Sequence, residues 1–153
     1  MSASAFPPFI ECGVRQGGRE MDLTIDQVNA IIAPTLPGSI GIRFTEVAPG
    51  RSVCQLTVNE TMHNPGGVLH GGVHYTLADT GMAIALLSII EEGQLFTTVE
   101  IKISYFKPVI AGAITCATQV VNKGRRIAHL ESELRDESRV VAKATGTYYI
   151  AAS

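Results

Sequence analysis

The sequence predicts an α+β fold, a curved antiparallel β-sheet wrapped around one long α-helix. Three observations predict it. The run Gly71–Ile90 is apolar on nearly every side, and a helix of that kind must be covered on most of its surface. Period-two stretches joined by short turns follow it, which favours antiparallel pairing over helical crossovers. With 153 residues, 46% hydrophobic and 17% charged, the chain has enough material for one sizeable core and reads as one domain.

The elements follow in order. Residues 1–20 carry Pro7-Pro8 and Gly17-Gly18 without periodicity and read as a loose arm. Thr24-Ile25-Asp26-Gln27 is a capping-box pattern that opens a short helix to about Ala33, and Pro34 and Pro37-Gly38 end it. The arm and short helix make up residues 1–35, and the folded domain occupies 36–153. Arg43–Val47, a Pro49-Gly50 turn and Ser52–Val58 form a hairpin, with Cys54, Leu56 and Val58 on one face and Val53, Gln55 and Thr57 on the other. Asn64–Gly67 is a turn-rich loop before the long helix. After Glu91-Glu92-Gly93, the strand Thr97–Phe106 places Val99, Ile101, Ile103 and Tyr105 on one face and stops at Lys107-Pro108. Ala113–Asn122 ends at Lys123-Gly124. The last pair, Arg126–Arg135 and Arg139–Ile150, is joined by Asp136-Glu137-Ser138.

Composition narrows the function. A net charge of −2, with no basic stripe and no zinc-finger or helix-turn-helix spacing, argues against nucleic acid as partner. Cys12, Cys54 and Cys116 are odd in number and far apart, which suits a reducing, cytoplasmic compartment better than a disulfide framework. The N-terminus has no basic and apolar segments of a secretory signal. The long helix approaches transmembrane length, but His74 and Asp79 interrupt it and no Lys or Arg anchors its start, so a buried helix is expected and no membrane span.

Chemistry concentrates in Asn64, His70, Gly71, Gly72 and Asp79, spaced N-x5-H-G-G-x6-D. Between Glu60 and Glu91, Asp79 is the one formal charge. A carboxylate in so apolar a stretch is costly unless paired, protonated or used. Gly71-Gly72 at the helix start leaves backbone N–H groups able to face an anion or a developing oxyanion. Carboxylate and donors, one to two turns apart, suit carbonyl chemistry. Each residue also has a plainer reading. Asp79 can be satisfied structurally, the glycines can permit close packing, and Asn64 before Pro65-Gly66 can serve a turn. His70 and His74 have the spacing of a two-histidine zinc face, but no third ligand is evident and no metal is expected.

This order resembles the hotdog-fold thioesterases of the phenylacetate-degradation (PaaI) type. The likeness runs from about Leu36 to Ile150 and includes Gly41-Ile42, Pro49-Gly50, the Asn…His-Gly-Gly…Asp set, Val99-Glu100-Ile101-Lys102-Ile103 and Phe106-Lys107-Pro108. It implies a hotdog domain over 36–153, hydrolysis of acyl-CoA thioesters without a cofactor, and a homodimer or homotetramer with sites at the dimer interface. By position it implies that Asp79 is the nucleophile or general base and that the Gly71 N–H forms the oxyanion hole. Asn64 would orient the water or carbonyl, His70 would shape the pocket, and Gly72 would bind substrate. Thr98, or its neighbour Thr97, falls where relatives place a water-holding hydroxyl. Lys123, Arg125 and Arg126 around Gly124 are either a solvated surface or the site of the coenzyme A phosphates, as the resemblance implies. Gly81, Ala83 and Ala85 either make room for an acyl group or allow tight packing. Two other readings keep the fold: an acyl-thioester dehydratase or hydratase, and a non-catalytic acyl-CoA-binding module.

Overall fold

The structure, a computed structural model, describes residues 23–91, 93–137 and 139–151. The arm expected over residues 1–20, Cys12 and Ser138 of the last expected turn lie outside the described residues. Helix α1 (Ile25–Ile32) begins as the sequence predicts. The Thr24 hydroxyl accepts the Gln27 N–H, and the Gln27 side chain accepts the Thr24 N–H. It buries Val28 and Ile32, and Asn29 extends the edge of β1 (Arg43–Ala48) by accepting the Phe44 N–H at 2.8 Å and donating to its carbonyl at 3.0 Å. A short helix α2 (Leu36–Ser39) follows where the prolines were expected only to end a helix. Pro37 sits in its first turn, where no intrahelical N–H is needed.

Strand β1 pairs with β2 (Arg51–Thr57) across a turn in which Gly50 takes φ 69°. A 3₁₀ turn over Glu60–Met62 leads through a closed loop into helix α3 (Gly71–Leu87). Strands β3 (Leu95–Tyr105), β4 (Ala113–Lys123), β5 (Ile127–Arg135) and β6 (Val140–Ala151) complete one six-stranded antiparallel sheet, ordered β1-β2-β4-β5-β6-β3. The chain thus does not lay its strands down in sequence. The loop after β3 crosses to β4 on the far side of β5 and β6, and leaves β3 as an edge.

Helix α3 packs against all six strands and buries Leu77, Ala78, Met82, Ala85 and Leu86 completely, so the sheet wraps it as the apolar run demands. Its core partners are Cys54, Leu56, Ile114, Cys116, Leu130, Leu134, Ala142 and Tyr148. Gly81 faces the sheet, where an added Cβ would lie 2.8 Å from Thr118 Oγ1 and 3.6 Å from each of the Cys54 and Cys116 sulfurs. That glycine serves packing. Cys54 and Cys116 are direct register partners, both buried and free. Among the described residues no helix is long and apolar enough to cross a membrane.

One expected face is corrected. Val99 does not share a face with Ile101, Ile103 and Tyr105, because the β3–β6 register shifts between Thr98 and Glu100. The extra residue of this bulge inverts the alternation, so Thr98 and Ile101 both face α3, while Val99 is 60% exposed.

Candidate active site

Helix α3 carries the two halves of the candidate site, one at its N-terminus and one just over two turns in. His70 is the N-cap, and its Nδ1 accepts the Gly72 N–H at 2.8 Å. The Tyr105 hydroxyl donates to the Gly71 carbonyl at 3.0 Å. His74 Nδ1 lies 3.4 Å from the His70 carbonyl; since that oxygen can only accept, Nδ1 carries the proton. The Gly71 N–H is bonded to no described residue. The helix terminus is therefore fastened on both sides of one uncommitted donor, and the expected pair of glycine amides reduces to Gly71 alone.

His74 is 4% exposed, edge-on to the Tyr105 ring at 5.5 Å, and its buried Nε2 has no partner. Burial pushes its pKa below the usual 6.5, so the ring is neutral near pH 7. His70 Nδ1 thus caps Gly72, and His74 Nδ1 faces a carbonyl. No cluster of three or more potential ligands exists among the described residues.

Asn64 sits in the loop that delivers His70. Its Oδ1 accepts the Gly66 N–H at 2.8 Å, its own N–H donates to Val68 O, and His63 and Leu69 bridge the loop. The turn function expected for Asn64 is present.

At the other half, Asp79 Oδ1 accepts the Thr98 hydroxyl at 3.0 Å and the Tyr148 hydroxyl at 2.8 Å. Thr98 and Tyr148 are register partners on β3 and β6, placed together by the bulge at Val99. Of the two threonines, Thr98 is the one bonded to Asp79, and Thr97 faces outward. Tyr148 is fully buried, and its phenol pKa is pushed up by that burial and then by the Asp79 charge. The sequence reading missed Tyr148. The inward positions of its strand are otherwise Ala142, Ala144, Gly146 and Ile150. A lone tyrosine among them needs an acceptor for its hydroxyl, and the single charge of the core helix was the available one.

Asp79 lies eight residues beyond Gly71, a rise of ~12 Å along the helix. The carboxylate and the free amide are thus farther apart than the one to two turns expected. Lys123, Arg125 and Arg126 occupy the β4–β5 turn, where Arg126 O accepts the Ile150 N–H at 2.7 Å. Ile127, Tyr149 and Thr97 share one rung of the sheet, and Ala128, Tyr148 and Thr98 the next. The basic turn is consequently at the Asp79 end of the sheet, two strand spacings (~10 Å) across. A separate hollow of about 230 Å³ between Ala117, Glu131, Glu133, Lys143 and Thr145 opens on the outer sheet face, away from Asp79.

The thioesterase superfamily model matches residues 66–143, a span that contains His70, Gly71, Gly72, Asp79 and Thr98. The chain is 32% identical to the 1,4-dihydroxy-2-naphthoyl-CoA hydrolase of Listeria monocytogenes, over 67% of this chain and 84% of that protein. A thioesterase structure from Haemophilus influenzae has a TM-score of 0.83 at 24% identity, covering 87% of this chain and 94% of its own. A mutant structure of the phenylacetic acid degradation protein PaaI from Thermus thermophilus has a TM-score of 0.69 at 30% identity, covering 74% of this chain and 96% of its own.

Proposed function

The chain belongs to the thioesterase superfamily and is a hotdog-fold hydrolase of thioester bonds; from that premise we propose that its substrates are acyl-CoA thioesters and that Asp79 is the catalytic carboxylate. The observation that carries this reading is the pairing of one oriented carboxylate, Asp79, with one uncommitted helix-terminal donor, the Gly71 N–H. Asp79 attacks the thioester carbonyl carbon or takes the proton of the water that does. The carbonyl electrons move onto oxygen, which the Gly71 N–H receives, and collapse expels the coenzyme A thiolate; where Asp79 itself has attacked, water then cleaves the mixed anhydride to free acid and carboxylate. One aimed donor is worth ~3 kcal/mol of such a barrier. Asn64 orients the water or carbonyl, and His70 shapes the donor by occupying Gly72. Lys123, Arg125 and Arg126 receive the phosphates of coenzyme A.

In this reading a second copy of the chain completes the site. A carbonyl carbon within ~3.5 Å of the attacking oxygen and a carbonyl oxygen ~3 Å from its donor keep carboxylate and amide within ~8 Å for direct attack, and within ~10 Å when a water intervenes. Asp79 and Gly71 of one helix are ~12 Å apart, so in this reading Asp79 works with the Gly71, His70 and Asn64 of a partner. The edge strand β3 supports that pairing: it has a free side, and Leu95 and Val99 on it are 68% and 60% exposed. The protein is accordingly a homodimer, or a homotetramer built from such dimers.

The test is thiol release from a panel of acyl-CoAs (phenylacetyl, hydroxybenzoyl, acetyl, hexanoyl, palmitoyl) by wild type and Asp79→Asn. Collapse by about a hundredfold or more in the folded variant supports the reading and names the acyl class. Full activity in Asp79→Asn refutes it, and acyl-CoA binding without turnover by wild type favours a binding module instead.

A further inference from the structure

Both donors that reach the Asp79 carboxylate fall on the same oxygen. Oδ1 accepts from Tyr148 at 2.8 Å, the shorter of that hydroxyl's two contacts (the Asp79 backbone carbonyl is at 3.3 Å), and from Thr98 at 3.0 Å, whereas Oδ2 is bonded to no described residue. A carboxylate oxygen offers two acceptor lone pairs, so these two bonds fill Oδ1. An aspartate carboxylate otherwise rotates easily about its last torsion, which exchanges its oxygens. Two donors on one oxygen stop that exchange. The geometry points to Tyr148 as a positioning residue of the hydrolysis, which with Thr98 saturates Asp79 Oδ1 and leaves Oδ2 as the oxygen that attacks or accepts the water proton.

The surroundings of Tyr148 fit that task. The ring is fully buried and leans on Phe96 at 6.1 Å. It passes beside Gly146, where an added Cβ would lie 3.1 Å from ring atom Cε2. A ring enclosed in this way holds its hydroxyl in one place. Burial also keeps the phenol protonated throughout the range in which a thioesterase works, so the donor does not switch with pH. Because it is neutral, it orients the carboxylate without cancelling its charge, as a lysine or arginine there would.

This inference rests on the catalytic role of Asp79, and the experiment separates the two. Tyr148→Phe keeps the ring and removes the hydroxyl. With the acyl-CoA that wild type hydrolyses best, kcat is expected to fall about 10- to 100-fold, the range for a hydrogen bond to a charged group, with KM within about twofold. In an Asp79→Asn background the same substitution is expected to cost nothing further, because its only route to the reaction is gone. Thr98→Val, at an exposed position that carries no core packing, gives a second reading should Tyr148→Phe not fold. It is expected to lower kcat in the same way, and Thr98→Ser to restore it. An unchanged kcat in folded Tyr148→Phe, an equal loss in the Asp79→Asn background, or an unchanged kcat in Thr98→Val overturns the inference. Full activity of Asp79→Asn alone would instead remove the reading beneath it, and the inference with it.

Discussion

Replacing Gly71 by proline isolates a single hydrogen atom. Backbone donors are beyond the reach of side-chain deletion, but Gly71 is the first residue of α3, the helical position where proline is most at home. The preceding residue suits it too. His70 has φ −61° and ψ 136°, in the extended region to which proline confines its neighbour. No intramolecular hydrogen bond is lost, since the Gly71 N–H is bonded to no described residue. The steric cost is local, because a Cβ at Gly71 lies 3.0 Å from the Tyr105 hydroxyl, and Tyr105 is 51% exposed and can swing outward. Losing its bond to the Gly71 carbonyl costs ~1 kcal/mol, and the reduced freedom of the unfolded chain returns ~0.4–1 kcal/mol. The two nearly cancel, so the urea midpoint should hardly move. Activity should not survive so well: with the oxyanion donor gone, kcat falls ~100- to 1000-fold. Gly71→Ala is the control, because it places the same Cβ against Tyr105 and retains the N–H. Stopped-time thiol release on both variants decides the matter. A folded Gly71→Pro enzyme within about threefold of Gly71→Ala would refute the assignment of the donor.

Three further outcomes are expected. Mixing Asp79→Asn with Gly71→Pro under conditions that exchange subunits should restore about a quarter of wild-type activity, since half the dimers are mixed and each has one intact site of two; no recovery despite exchange would rule out a shared site. Gly81→Ala gains ~1 kcal/mol of helix propensity but drives a methyl group to 2.8 Å from Thr118 Oγ1, which is itself bonded to Ser132 at 2.7 Å. Overpacking of ~1–3 kcal/mol should win, and a raised urea midpoint would contradict it. The depressed pKa of His74 means that, as pH falls through 6.5, the unfolded chain takes up a proton which the folded imidazole refuses. Stability from this group is full above 6.5 and declines below it by at most ~1.4 kcal/mol per pH unit. The stability difference between pH 7.5 and 5.5 should therefore shrink in His74→Leu, and an unchanged difference would sink the account.

Much of this was legible in the amino-acid order because it depends on local rules. The run from Gly71 reads as a buried helix, the capping box at Thr24 and Gln27 starts α1 where expected, and β4 to β6 end within about two residues of their turn signals. What escaped depends on pairing. Nothing near Val99 marks the bulge, which exists only relative to β6, yet it decides that Thr98 faces Asp79 and Thr97 does not. The place of β3 at the sheet edge is likewise a property of the whole sheet. Tyr148 escaped because its partner lies sixty-nine positions away, across the wrap of sheet around helix. The free Gly71 amide was anticipated, but its isolation required seeing that His70 occupies Gly72.

The two thiols beneath α3 make the protein its own clock. Cys54 and Cys116 sit opposite one another on β2 and β4, directly under Gly81, and Cys54 Sγ lies 3.7 Å from the Leu77 carbonyl of the helix. Both are completely buried, and the Cys54 thiol is held well above its usual pKa by its hydrogen bond to Cys116 and by burial, so an alkylating reagent cannot reach it in the closed form. Its labelling must wait until the helix that carries Asp79 lifts from the sheet. When reclosing outruns reagent, the labelling rate reports the free energy of that opening; when reagent is in excess, it reports how often opening occurs. Followed peptide by peptide with and without a bound thioester analogue, these cysteines would time the motion of α3 without any introduced probe.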